Sequence, residues 1–129
     1  SRRNLPMKTK PRTFLLSLTF LFLFSGSVYG EEPEVKKKYW KNGKLKSETH
    51  YKNGEEEGLS TRWHKNGNKQ LETHYKNGKR EGLATWWYIT GEKNSEVYYK
   101  NGIENGIRKE WNEDGKKTFQ GNFVDGNEE

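Results

Sequence analysis

The sequence predicts an all-β fold, an elongated single-layer antiparallel meander of 24-residue β-hairpin repeats. Three observations lead there. Eleven of the twelve glycines after residue 30 fall on one lattice: Gly43, Gly67, Gly91 and Gly115; Gly54, Gly78, Gly102 and Gly126; and Gly58, Gly82 and Gly106. Other residue types keep the same interval, among them Tyr39, Trp63, Trp87 and Trp111; Tyr51, Tyr75, Tyr99 and Phe123; and Glu48, Glu72, Glu96 and Gln120. Self-similarity at a fixed period of this length is the signature of a repeat architecture. Finally, the Asn-Gly pairs at 42–43, 53–54, 66–67, 77–78 and 101–102 mark hairpin turns, because both residues tolerate positive φ. The runs between them alternate with period 2.

In chain order, the first element is a leader. Residues 7–12 are basic, residues 14–24 are dominated by Phe and Leu, and residues 25–30 are mostly small. Val28 and Gly30 stand at the −3 and −1 positions of a cleavage site before Glu31. This is the layout of a secretory signal peptide over residues 1–30, with residues 1–6 as an extension ahead of Met7. The apolar stretch is short for a membrane span of ~20 residues. The expectation is an exported protein, periplasmic or secreted, with an uncleaved membrane anchor as the alternative. Residues 31–38 read as a flexible, lysine-rich lead-in around Pro33, and residues 39–129 as an array of about 3.5 repeats.

Each period reads as two strands. One face of the first full repeat carries Ser47, Thr49 and Tyr51, then Leu59, Thr61 and Trp63. The other carries Glu48 and His50, then Ser60, Arg62 and His64. Register follows from parity, since a one-residue slip exchanges the faces. A three-residue loop at residues 65–67, with Gly67 in the left-handed region, pairs Thr61 with Leu71 and Leu59 with Thr73, and so keeps the faces separate. A type I turn with a G1 bulge is therefore expected there. The connection from Lys52 to Gly58 reads as longer.

These residues resemble MORN repeats, in a divergent form common in bacterial proteins. The resemblance is carried by residues 48–54 (ETHYKNG), by Gly58-Leu59, by Trp63 and by residues 66–69 (NGNK), and it recurs from Glu72 and Glu96. It implies a hairpin array that acts as an interaction module, for protein partners or for membrane lipids. It also implies an antitoxin or immunity role as an alternative, because many bacterial relatives are described as antitoxin components.

Composition narrows the function. The net charge of +6 invites a nucleic-acid partner, but Arg2, Arg3, Lys8, Lys10 and Arg12 all lie in the leader. Removing those five from the 24 basic residues leaves 19 against 18 acidic ones, a net charge of +1. Such a module is poorly placed to release the counterions that dominate nucleic-acid binding. The charge is polarised: Lys36, Lys37, Lys38, Lys41, Lys44 and Lys46 crowd one end, and Glu113, Asp114, Asp125, Glu128 and Glu129 the other. The lysine-rich end, Lys36–Lys46, suits a membrane surface.

No cysteine is present, which excludes disulfides and thiolate metal sites. His50 and His74 hold equivalent positions ~9.6 Å apart, too far to share one ion, so with His64 they read as surface residues. No Ser/His/Asp set and no phosphate-cradling loop appears, so no cofactor and no catalysis are expected. Trp63, Trp87 and Trp111, Tyr51, Tyr75 and Tyr99, and the glycines 54, 78, 102, 58, 82 and 106 obey the lattice and read as structural. Trp86 and Tyr88 depart from it: their counterparts are Arg62 and His64, then Glu110 and Asn112. With Tyr98 they form the candidate partner-binding spot, with packing against a folded-back segment as the alternative, since clustered aromatics on a polar face call for an occupant.

Overall fold

The computed structural model describes residues 32–129; the leader, the extension 1–6 and the cleavage site at Gly30 and Glu31 lie outside the described residues. Ten strands form one antiparallel sheet: β1 (Glu34–Tyr39), β2 (Leu45–Lys52), β3 (Glu55–Trp63), β4 (Lys69–Lys76), β5 (Lys79–Arg80), β6 (Gly82–Trp87), β7 (Lys93–Lys100), β8 (Ile103–Trp111), β9 (Lys117–Val124) and β10 (Asn127–Glu128). Neighbours in sequence are neighbours in the sheet, whose path runs from β1 to β10 without closing. β5 and β6 are two halves of one strand, both on β4, where the equivalent β3 and β8 run through. No helix is present among the described residues.

Residues 34–38, expected to be part of a flexible lead-in, belong instead to strand β1, which ends at Tyr39. β1 pairs with β2 from Glu34↔Tyr51 to Tyr39↔Leu45. Its lysines lie across the neighbouring strand: Lys37 Nζ reaches Glu48 at 3.1 Å, and Lys36 Nζ stands 4.5 Å from the centre of the Tyr51 ring. Long cationic side chains with their stems on aromatic surface can serve an edge strand as apolar residues would.

The turns alternate between two types. At residues 64–68, Gly67 N–H donates to His64 O, His64 N–H donates to Asn68 O, and Gly67 has φ +96°: the type I turn with a G1 bulge that the sequence predicts. The other connection is not the longer one expected. Asn53 and Gly54 have φ of +51° and +78°, and Lys52 pairs with Glu55, so they form a two-residue type I′ turn. The same pair of positive angles recurs at 77–78, 101–102 and 125–126.

The register also differs from expectation. Next to the turn Trp63 pairs with Lys69, as a three-residue loop requires, but one step further Arg62 pairs with Leu71. Gln70 is bulged out. Lys46, Asn94 and Thr118 are bulged at the equivalent places. This second bulge shifts the body of each hairpin by one residue, so Thr61 opposes Glu72 and Ser60 opposes Thr73. Paired residues share a face. Ser47, Thr49 and Tyr51 therefore lie with Ser60 and Arg62, while Glu48 lies with Thr61 and Trp63. We call the first the Tyr face, after Tyr51, Tyr75 and Tyr99, and the second the Trp face, after Trp63, Trp87 and Trp111.

Neither face is purely apolar, and among the described residues no second layer covers either. Leu71, Thr73, Ala84 and Val97 are buried on the Tyr face, Thr61 and Thr85 on the Trp face. Their cover is the flanking rows of longer side chains. On the Trp face Lys69 stands over Trp87 and Lys93 over Trp111, each also paired with an acid, Glu72 or Glu96.

Candidate partner-binding face

The Tyr face is built as three rows running across the strands. Its floor is small: Thr49, Ser60, Thr73, Ala84 and Val97 follow one another through the register. Thr49 Oγ1 and Ser60 Oγ share a hydrogen bond of 3.0 Å, whereas the buried Thr73 Oγ1 has no partner. One wall alternates tyrosines with charged residues, because Tyr51 pairs with Glu56, Tyr75 with Arg80 and Tyr99 with Glu104. In the other wall, one position of the 24-residue lattice alternates in size: Ser47, Leu71, Ser95, Phe119.

That alternation opens a recess at each serine. Beside Ser95 the recess measures about 240 Å³ and is lined by Trp86, Asn94, Val97, Tyr99, Glu104 and Arg108. Beside Ser47 it measures about 220 Å³ and is lined by Lys38, Trp40, Lys46, Arg62 and Gln70. The first is aromatic with both charge signs, the second cationic.

Trp86 belongs to this face. It pairs with Leu71 on one side and Ser95 on the other, and its ring meets that of Tyr99 at 6.5 Å and a tilt of 54°. The Arg80 guanidinium lies over both rings, at 5.5 Å from Trp86 and 5.3 Å from Tyr99. Burial disfavours the Arg80 charge, but hydrogen bonding and charge from Tyr75 and Tyr99 outweigh it and hold the pKa above its ordinary value. Across the recess Arg108 replaces the small floor residue of earlier repeats. It pairs with Glu110 and Glu104 and lies over Phe119 and Phe123. Its pKa too is raised: burial lowers it, and Glu110 and then Glu104 more than compensate.

The structure does not bring the three predicted site residues together. Tyr98 pairs with Leu83 on the Trp face, opposite to Trp86. Tyr88 stands at the turn edge, where its hydroxyl donates to Trp111 O at 2.9 Å. There it is one rung of a ladder. Trp40 Nε1 donates to Trp63 O at 3.1 Å, and His64 Nε2 donates to Trp87 O at 2.9 Å. A tryptophan, a histidine and a tyrosine thus do the same work, joining each turn to the next through a ring donor. The only signal in the sequence is that positions 40, 64 and 88 all carry such a donor. His50 is similarly engaged, donating from Nδ1 to Leu59 O at 2.7 Å.

The opposite edge has its own ladder. Gly78, Gly102 and Gly126 donate their N–H to Glu56 O, Arg80 O and Glu104 O, each at 2.9 Å. Glu57 and Glu81 carboxylates accept from the backbone N–H of Asn77 and Asn101. The lattice glycines 54, 78 and 102 are the second residues of the I′ turns. Glycines 58, 82 and 106 take positive φ near the strand irregularities. Among the described residues no group of His, Asp and Glu is placed to hold a metal ion, and no helix is long and apolar enough to cross a membrane.

A family model, the MORN repeat variant, matches residues 35–53, 56–77, 80–101 and 104–125. These four segments cover more than half of the chain and begin inside β1. Repeats of this kind point to a module that binds proteins or membranes. No curated protein and no solved structure matches the chain.

Proposed function

The chain belongs to the MORN repeat variant family, and on that premise we propose that it is an exported, non-enzymatic module that binds a protein partner through the Tyr face. The recess beside Trp86 carries this reading. It joins Trp86, Tyr99 and Arg108 on a sheet face that no other layer of the described residues covers, and Arg80 lies over the Trp86 and Tyr99 rings. Trp, Tyr and Arg are the residue types that dominate binding energy at protein interfaces. Arg80 and Arg108 are already fixed on aromatic rings, so less side-chain freedom is lost on binding.

Capture of a protein from envelope extract tests the reading. The wild-type chain is expected to retain a specific partner that Ser95→Trp loses, because the added indole fills the recess without removing a packed side chain. Retention by Ser95→Trp at wild-type strength contradicts it. Export is checked by N-terminal sequencing of the protein from its host: a start at Glu31 supports it, and a retained Met7 contradicts cleavage.

A second reading has its own observation. Around Trp40, Lys46 Nζ lies 4.5 Å and Lys65 Nζ 5.4 Å from the ring centre, with Lys38 and Arg62 in the adjoining recess. Cations beside an indole suit an anionic lipid surface. Co-sedimentation with phosphatidylserine vesicles, lost in Lys46→Glu, supports that reading; no binding at low salt excludes it.

A further inference from the structure

Two recesses open on the Tyr face, and we propose that one partner segment fills both: an extended peptide crossing the strands, with an acidic side chain over Ser47 and an apolar or aromatic one about six residues away over Ser95. This rests on the Tyr face being the protein-binding surface and names the chemistry of what it binds.

The recesses differ in what they lack. Lys38, Lys46 and Arg62 line the one beside Ser47, with Trp40 and Gln70. Among the described residues none of these three cations pairs with a carboxylate; Lys46 lies instead over the Trp40 ring, at 4.5 Å. Cations grouped without an acid call for a carboxylate from the ligand. Beside Ser95 the charge is already matched, because Arg108 pairs with Glu104 and Glu110. What that recess still offers is Trp86, Val97 and Tyr99, a lining for an apolar side chain.

Spacing sets the conformation of the ligand. Ser47 and Ser95 are separated along the sheet by the steps from β2 through β3, β4 and β6 to β7, a distance of about 19 Å. About six residues of extended chain cover it, and an even number returns both side chains to the same side. A helix needs about 13 residues, a little over three and a half turns, which leaves the second side chain on the far side. The passage between the recesses is clear, since Ser60, Thr73 and Ala84 form its floor. Tyr75 stands on one side of it and Leu71 and Trp86 on the other.

A displayed library of random peptides, about 12 residues long so that the spacing fits in either direction, is selected on the purified protein. Enrichment of Asp or Glu six positions from Phe, Trp or Leu is expected. Fluorescence anisotropy on an enriched peptide should show about tenfold weaker binding when its acid becomes lysine or when one glycine is inserted between the two anchors. Lys46→Glu with Arg62→Glu should reverse the preference, losing the acidic peptide and gaining the lysine one, with circular dichroism confirming the β array. An acid preference that survives in the folded charge-reversed protein overturns the proposal. Binders that lack the spacing but are lost in Ser95→Trp overturn the bridging peptide and leave the Tyr face as the binding surface. Binders that Ser95→Trp retains at full strength, or a library that yields none, contradict the surface itself and the peptide with it. Phosphatidylserine vesicles that bind wild type and not the charge-reversed protein, while the peptide binds both equally, assign the Ser47 recess to lipid and also overturn it.

Discussion

Trp86 and Trp87 are adjacent in sequence and lie on opposite faces, and both are half-buried. Trp86 loses contact with Leu71, Tyr99 and Arg80 when truncated, so Trp86→Ala is predicted to destabilise the fold by about 2 kcal/mol in urea titration. A change below a few tenths of that would mean the ring does not pack on the Tyr face. Tyr88 is a structural residue through its hydroxyl. Tyr88→Phe keeps the ring and removes one hydrogen bond to Trp111 O, and a loss of about 1 kcal/mol is expected. An unchanged unfolding midpoint would show that the rung contributes nothing. Tyr98 faces the other way, 45% exposed on the Trp face, and Tyr98→Ala should leave recess binding intact.

At the scale of the element, the bulges and turns decide the structure. Gly82 and Gly106 both have positive φ, but a Cβ at Gly82 meets nothing within 4 Å, whereas one at Gly106 approaches Tyr98 Cβ at 3.0 Å. Both alanine variants carry the left-handed penalty of about 1–2 kcal/mol. Gly106→Ala should cost more, and equal melting temperatures for the two would contradict the observed packing of β7 on β8. The sequence made the hairpins legible because Asn-Gly and the lattice glycines mark turns chemically. It hid the second bulge because Lys46, Gln70, Asn94 and Thr118 share no property that demands one. β1 was hidden for a related reason: Lys36, Lys37 and Lys38 show no alternation, since both faces of that strand use cationic stems. The error at the site follows from the bulge. Shifting the register by one residue moves Trp86 beside Leu71 and separates it from Tyr98, so the predicted cluster dissolves and a different one, with Tyr99 and Arg80, takes its place.

At the scale of the molecule, stability is a sum of neighbouring hairpin contacts, not the product of one central core. The buried residues Ser60, Thr61, Leu71, Thr73, Ala84, Thr85 and Val97 fall in β3, β4, β6 and β7. Hydrogen exchange is accordingly predicted to be slowest in those strands and fastest in β1 and β10 in dilute, high-salt solution; uniform protection would contradict a nearest-neighbour array. The central claim is that four hairpin units form one open sheet in the doubly bulged register, which creates the Tyr face and its recess. Nuclear Overhauser contacts of the Trp86 indole test it most directly. The account predicts cross-peaks from that ring to the Leu71 methyls and the Tyr99 ring, with none to the Tyr98 ring. Cross-peaks to Tyr98 with no contact to Leu71 would place Trp86 on the opposite face and contradict both the register and the binding site built on it.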